Sequence, residues 1–252
     1  MESKGYKEGY KLHQYIINSF IQCLFFAQLN CSRSDKLENS LFFLSVIDDM
    51  FQSIVGIACL SEQGIRNTCR RELRYLLELA IKACVVSQKY SDKSVSEQIA
   101  EYFGIIKSTN ISMIKEIDFY FFDKDLKDNF ISESLRMYGD LCAYVHSTPK
   151  QMQERIGLMQ KGRYIGFEGV NELKELNKEV SITLSFVLVL FFHAIPEWCV
   201  GDYIVERDGT TVNSYFSRSK YFAAIDSIFD YKQERQGHLD TVKACREKKV
   251  AF

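Results

Sequence analysis

Apolar residues recur along much of this chain at spacings of three and four, which is the period of an α-helix. The segment from Arg66 to Tyr90 shows this most clearly. Its apolar positions follow the i, i+3, i+4, i+7, i+8, i+11 pattern that puts them on one helix face: Leu73, Leu76, Leu77, Ala80, Ile81 and Cys84. The spacing therefore predicts a long amphipathic helix with one face in a protein core.

The same period predicts four further long helices and a short one. The long helices lie near residues 10–30, 40–60, 132–147 and 170–195. Ser94 or Ser96 has the side chain to cap the short helix that follows. Only two prolines and thirteen glycines interrupt the chain, and this scarcity favours long helices over short strands with tight turns. We therefore expect an all-α protein.

The most apolar segment, Val180 to Ile195, has two readings. It carries no charged residue and Pro196 follows it, so it is either a membrane helix or the central helix of a bundle. A membrane span needs about 20 apolar residues, and this segment is shorter and contains Ser181, Thr183 and His193. We expect a buried core helix and no membrane partner.

The segments between the long helices give weaker signals. Residues 107–131 are rich in aromatic side chains without a firm period, which indicates a short helix and a packed loop. Ser132 or Ser134 is the expected cap of the next helix, and Pro149 is its expected stop. Residues 157–169 are punctuated by glycine and indicate a loop.

The last fifty residues contain the only strand signal. Asp208 and Gly209 lie between β-prone residues, which is the signature of a hairpin turn. We expect a helical bundle over residues 1–200 and a C-terminal appendage over residues 201–252 that includes this β-hairpin. The alternative is that both parts form one compact domain.

The amino-acid composition limits which partners and which cellular compartment we expect. The 32 Lys and Arg residues nearly balance the 33 Asp and Glu residues, so the net charge of −1 provides no bulk attraction to nucleic acid or anionic lipid. The eight cysteines are dispersed without a C-x-x-C pair, and Met1 to Tyr10 is too polar for a signal peptide. We expect reduced thiols, a cytoplasmic location, and neither a metal nor a cofactor.

His146 is the first candidate for chemistry. It ends the helix predicted near residues 132–147, where the helix dipole favours a protonated imidazole. Tyr138 and Cys142 belong to the apolar face of that helix, and His146 flanks this face. A half-buried histidine of this kind suits a general acid or base. The alternative is a histidine that hydrogen-bonds helix carbonyls or a neighbouring helix.

Arg70, Arg74 and Glu78 form the second candidate group. All three flank the apolar face of the Arg66–Tyr90 helix, and Arg74 and Glu78 are an i, i+4 pair. One reading is a surface ion pair. The other is an arginine held by a carboxylate and directed at a phosphate. The Walker, dinucleotide-binding, nucleophile-elbow and zinc-protease motifs are all missing from the sequence.

Two short motifs resemble one branch of the HEPN-like helical superfamily. Arg74 and Glu78 match its R-x-x-x-E element. A second element, Y-x-x-L-x-x-Y-V-H, is matched by Tyr138, Leu141, Tyr144, Val145 and His146. The resemblance covers roughly residues 40–195. It implies a bundle of four or five core helices that often pairs into a homodimer.

The resemblance also implies a function. Many relatives are metal-independent ribonucleases of bacterial toxin–antitoxin or anti-phage defence systems, in which an arginine and a histidine act on RNA through an R-x4–6-H motif. Here the residues four to six before His146 are Cys142, Leu141 and Asp140 in place of an arginine, so Arg70 or Arg74 would have to replace it.

The implied site has His146, Arg74 and Glu78 as catalytic residues, with Arg70, Tyr138 and Tyr144 binding substrate. The expected partners are RNA, a second copy of the chain, or another protein from the same operon. The alternative is a non-catalytic helical scaffold that dimerises or binds a partner protein.

Overall fold

The computed structural model describes residues 4–31, 37–108, 110–145, 148–164 and 169–252, without the side chains of residues 37–41 and 43–44. These parts of the chain contain ten α-helices and no strand, which confirms the all-α prediction. The helices are α1 (Lys4–Cys31), α2 (Leu37–Glu62), α3 (Arg66–Lys89), α4 (Val95–Ile106), α5 (Lys124–Cys142), α6 (Pro149–Gln160), α7 (Val170–Phe192), α8 (Glu197–Ile204), α9 (Lys220–Ile228) and α10 (Leu239–Lys249).

Helix α3 lies at the centre of the bundle. It packs against α2, α7, α5 and α4, and α1 packs against α2 and α7. The predicted apolar face of α3 is fully buried, and Leu76 and Ile81 have no exposed surface. The helical period alone therefore predicted this helix and the face that it buries.

Helix α7 is the buried core helix that the sequence predicts. From Val180 to Phe192 only Ile182 is more than slightly exposed, and Leu184 and Leu188 lie at the centre of the core. Among the described residues, no helix combines the length and the apolar character that crossing a membrane requires.

One helix start confirms its predicted cap, and another lies earlier in the chain than predicted. Ser94 caps α4 with a complete capping box, in which its hydroxyl accepts from Glu97 N–H and Glu97 in turn accepts from Ser94 N–H. Helix α5 begins at Lys124 and is not capped by Ser132 or Ser134. Asp123, nine residues before Ser132, accepts a hydrogen bond from Leu126 N–H and caps it.

The glycine-rich loop prediction at residues 157–169 is wrong in its first part, because α6 runs to Gln160. Thr148 caps α6 by accepting a hydrogen bond from Gln151 N–H, and Pro149 takes the first helical position. Proline is favoured there because that residue has no intrahelical partner for its N–H. Pro149 thus begins α6, whereas α5 ends seven residues before it, at Cys142 and not near residue 147 as predicted.

The aromatic segment before α5 is a packed loop, as predicted, preceded by a short 3-10 turn at Ser112–Glu116. Four consecutive rings lie edge-on to His193, with ring centroids 5.0 to 5.2 Å away. They belong to Phe119, Tyr120, Phe121 and Phe122. His193 is buried and its Nδ1 donates to Val189 O at 2.7 Å, as expected of a core histidine.

The C-terminal segment contains the predicted turn but not a hairpin of two strands. Gly209 has a φ of 78°, which glycine adopts without strain, and the flanking chain pairs only through a single bridge between Val205 and Thr211. Phe216 and Phe222 from this segment belong to the same buried core as α1 and α7. The division at residue 200 stays a prediction.

Candidate functional site

Arg70 is held in the interface between α3 and α7. Its Nε and Nη2 donate to the two carboxylate oxygens of Glu179 at 2.7 and 2.8 Å. Its Nη1 reaches Glu154 of α6 at 3.3 Å, and the guanidinium carbon lies 4.1 Å from the centre of the Tyr144 ring. Only 3% of the side chain is exposed. Arg70 therefore joins three elements and faces no open cleft.

Tyr144 and Glu154 complete this half of the site. The Tyr144 hydroxyl donates to Glu154 Oε1 at 2.7 Å, while Oε2 of the same carboxylate accepts from Arg70. Burial and the hydrogen bond to Glu154 raise the pKa of Tyr144 well above its usual range, so it stays a neutral donor. Arg71 donates to the main-chain oxygen of Tyr144 at 2.7 Å and fixes the chain after α5.

The second half of the site is built around Arg74 and Glu78. The two form the predicted i, i+4 ion pair, with Arg74 Nη2 3.0 Å from Glu78 Oε2. Tyr138 of α5 lies between them: its hydroxyl accepts from Arg74 at 2.6 Å and donates to Glu78 at 2.9 Å. Arg74 Nε also donates to Cys142 Sγ at 3.3 Å. These contacts attach the middle of α3 to the last turns of α5.

The electrostatics of this half favour a neutral tyrosine beside a charged pair. Burial, together with the hydrogen bond and charge of Glu78, raises the pKa of Tyr138 to about 12. Burial alone would lower the pKa of Arg74, but Cys142, Tyr138 and Glu78 raise it above its ordinary value. Arg74 and Glu78 retain 21% and 17% side-chain exposure, so solvent reaches this half of the site.

Lys82 belongs to the same site, although on a helical wheel it lies opposite the apolar stripe of α3, a position that predicts exposure to solvent. It is 2% exposed, its ammonium pairs with Glu78, and it donates to Ser108 O at 2.8 Å. The i, i+4 spacing of Glu78 and Lys82 was the sequence signal for this contact. Lysine can reach across a buried face because its long apolar stem packs there while its charge finds a partner.

The site brings together five of the six residues predicted for it. Arg70, Arg74 and Glu78 come from α3, and Tyr138 and Tyr144 come from α5 and the turns after it. His146 lies outside the described residues. Its predicted proximity to Arg74 and Glu78 stays a prediction.

Two carboxylates of the site escaped sequence analysis. Glu154 and Glu179 lie on α6 and α7, 84 and 109 residues after Arg70 in the chain. No local spacing links residues so far apart. A buried arginine needs a carboxylate partner, so acidic residues near the polar end of α7 were the only available signal.

The ion-paired side chains of the described site balance in charge. Arg70, Arg74 and Lys82 carry three positive charges, and Glu78, Glu154 and Glu179 supply three carboxylates within ion-pair distance of them. No group of three or more metal-ligating side chains occurs among the residues that the structure describes. These ion pairs stabilise helix packing, and the six paired side chains together carry no net charge that would attract a phosphate.

Comparison with known proteins adds no relative to this description. No protein-family model, no curated protein and no solved structure matches the chain. The site therefore has to be interpreted from its own geometry.

Proposed function

We propose that this chain is a HEPN-like helical interaction module that pairs with a second copy of itself through α6. Two findings support the HEPN-like assignment: the all-helical core, and the contact of Arg74 and Glu78 with Tyr138 from the second motif. The balanced charges of the site support a structural role for it. In this account the cluster holds α3, α5, α6 and α7 in register and α6 carries the binding face.

The geometry of α6 is the observation that carries this proposal. One side of the helix is anchored, with Leu158 buried and Glu154 bonded to Arg70 and Tyr144. The opposite side presents three apolar residues at i, i+4 and i+7. They are Met152, Ile156 and Met159, which are 53%, 54% and 51% exposed. An exposed apolar stripe on an anchored helix is typical of an interaction site.

A second copy is the occupant that this face suits best. Gln153 and Gln160 border the stripe on one side and carry no charge, and Arg155 borders it on the other side. The two glutamine positions can therefore meet a second copy across a two-fold axis without like-charge repulsion. Methionine side chains adapt their shape to an apolar partner, which favours pairing of identical stripes. The homodimer implied by the resemblance is thus assigned to α6.

Light scattering coupled to size-exclusion chromatography tests the proposal. The wild type should elute with a mass near twice 29.3 kDa, and Ile156→Glu should elute as a monomer. Ile228→Glu is the matched control, because Ile228 is also an exposed isoleucine but lies at the end of α9. A wild type that is monomeric at every concentration, or a dimer that Ile156→Glu leaves intact, would contradict the assignment.

An RNA-directed function, as in a bacterial defence or stress system, is the second candidate. The observation that favours it is the partial exposure of Arg74 and Glu78 close to the end of α5, which precedes His146 by four residues. In that case His146 would transfer a proton to or from the ribose or leaving oxygen, and Arg74 would stabilise charge on the phosphate.

Cleavage of total RNA in EDTA separates the two functions. A metal-independent ribonuclease requires an active wild type and inactive, folded His146→Ala and Arg74→Ala proteins. The interaction module predicts no cleavage by the wild type. A dimer that cleaves RNA, with both variants inactive, would make the RNA-directed function primary.

A further inference from the structure

We propose that the groove between α1, α7 and the C-terminal segment binds a small organic anion with an apolar body. This site is separate from the Arg70–Glu78 cluster and does not depend on the pairing of α6. It rests on the shape of the groove, on the distribution of charge around α7, and on two aromatic rings in its wall.

The groove has a volume of about 320 Å³. Its apolar surface comes from Leu12 of α1, Ile182 of α7, and the rings of Tyr215 and Phe252, which stack with centroids 5.9 Å apart. Three cationic residues line it as well, namely Lys174, Lys178 and Arg218. No aspartate or glutamate is among its lining residues. This combination fits a ligand that has both an apolar surface and a negative charge.

Charges are segregated around α7. The carboxylates of the helix point to one side, where Glu172 pairs with Arg163, Glu175 with Arg66, and Glu179 with Arg70. Lys174 and Lys178 lie on the other side, toward the groove. Because the acidic residues are engaged elsewhere, they do not neutralise these two lysines.

The cationic residues of the groove have no ion-pair partner within the part of the chain that the structure describes. Lys174, Lys178 and Arg218 are exposed, and no salt bridge joins any of them to a described carboxylate. The Arg218 guanidinium lies over the Tyr215 ring, 5.4 Å from its centre, which orients its charge along the aromatic wall. Three cations without an ion-pair partner among the described residues surround one concave surface, and such an arrangement favours a local positive potential although the net charge of the chain is −1.

The floor of the groove is rigid and already hydrogen-bonded. Ser181 Oγ donates to Asn177 O at 2.6 Å and lies 2.9 Å from the Tyr215 hydroxyl. Asn177 in turn contacts His13 and donates to Gly9 O at 2.8 Å. Since these polar groups already have partners, recognition should depend on the three cations and on apolar contact.

The dimensions of the groove limit the ligand. Lys174 and Ile182 are eight residues apart on α7, which is about 12 Å along the helix axis. A ring or branched aliphatic body over Ile182, Tyr215 and Phe252 would place an acidic head group near Lys178 and Arg218. The ligand class is therefore an aromatic or aliphatic carboxylate, sulfonate or phosphate of small-molecule size.

Fluorescence titration with two matched probes tests the site. Anilinonaphthalene sulfonate carries an apolar body and one negative charge, and phenylnaphthylamine is its uncharged counterpart. Lys178→Glu and Arg218→Glu should each weaken sulfonate binding by about tenfold through charge reversal, and leave binding of the neutral probe unchanged. Lys243→Glu, an exposed lysine of α10, is the control and should change neither. Circular dichroism establishes that each variant is folded.

Three results would overturn the proposal. The first is sulfonate affinity that is the same in the wild type and both groove variants. The second is an equal loss in Lys243→Glu, which would indicate a general charge effect. The third is a parallel loss for the neutral probe, which would mean that the groove does not recognise charge.

Discussion

The guanidinium of Arg70 on α3 donates two hydrogen bonds to the carboxylate of Glu179 on α7, at 2.7 and 2.8 Å. This geometry gives both charges a partner within the helix interface. Because Arg70 is engaged in this pair, it is not available to bind an RNA phosphate. The first predictions concern this pair and the contacts around it.

Removing one partner of this pair should destabilise the fold strongly. Arg70→Ala leaves Glu179 and Glu154 without their cation. Because 28% of the Glu179 side chain is exposed, the loss should stay below that of a fully buried pair, at about 1.5–3 kcal/mol. Glu179→Ala should cost a similar amount, and the double variant less than the sum of both, because the second change removes a charge that is already unpaired. Urea unfolding of the four proteins measures this.

The control for this double-mutant cycle is an ion pair on the protein surface. Arg136 and Asp140 lie 3.9 Å apart with 70% and 54% of their side chains exposed. Arg136→Ala should change stability by less than about 0.5 kcal/mol. Equal effects of Arg70→Ala and Arg136→Ala would show that the Arg70 contacts do not hold the helices together.

The Tyr138 hydroxyl should contribute measurably to stability. Tyr138→Phe removes the bonds to Arg74 and Glu78 and keeps the ring in place. Hydrogen bonds to charged groups contribute about 1.5–3 kcal/mol when buried, and the partial exposure here should reduce the loss to about 1–2 kcal/mol. Tyr231→Phe, at an exposed ring, should have no effect. A Tyr138→Phe protein as stable as the wild type would contradict the role of Tyr138 as a link between α3 and α5.

Leu188 tests the position of α7 in the core. Its side chain is 1% exposed, and Leu188→Ala should cost about 2–5 kcal/mol because the cavity cannot close completely. Leu29→Ala, on an exposed face of α1, is the matched control and should cost much less. Equal losses in the free energy of unfolding for the two variants would contradict the burial of α7.

The free energy of unfolding should decrease as the pH falls from 6.5 toward 4. Burial lowers the pKa of His193 from 6.5 to about 4, and burial also lowers the pKa of His13. Both histidines are neutral in the folded chain, so the unfolded chain binds more protons between these values. Their contribution is therefore fully present above pH 6.5 and is lost as the pH falls toward 4, by about 3 kcal/mol for His193.

Thermal unfolding from pH 6.5 down to about pH 5 isolates this effect. The acidic groups with lowered pKa values, such as Glu133 and Asp230, lose their contribution only below the ordinary carboxyl values and so lie outside this window. His193→Gln should show a shallower decline than the wild type. An unchanged slope in the variant would mean that His193 does not titrate as its burial predicts.

Local periodicity was enough to predict the helices that form the core. The apolar spacing of α3 and the uncharged stretch of α7 are properties of neighbouring residues, so the sequence displays them directly. The start of α5 was missed because the aromatic residues before it obscured the helical period and Asp123 went unrecognised as a cap. Helix α6 was missed because Pro149 was read only as a stop.

Only the part of the site that depends on local spacing could be predicted from the sequence. The spacing of Arg74 and Glu78 is local, and their ion pair follows from it. The link to Tyr138 came from the resemblance, and the partners of Arg70 depend on how α6 and α7 pack on α3. Such contacts depend on tertiary packing, which the spacing of residues in one sequence does not reveal.

Sedimentation equilibrium over a concentration series is the most direct test of the central claim that α6 pairs two copies of this chain. The account predicts that the mass of the wild type rises with concentration from 29.3 kDa toward twice that value. In Ile156→Glu the dissociation constant should increase by at least about tenfold, as expected for a charge placed in the centre of an apolar interface. A mass that stays at 29.3 kDa throughout the series, or curves that coincide for the wild type and Ile156→Glu, would contradict it.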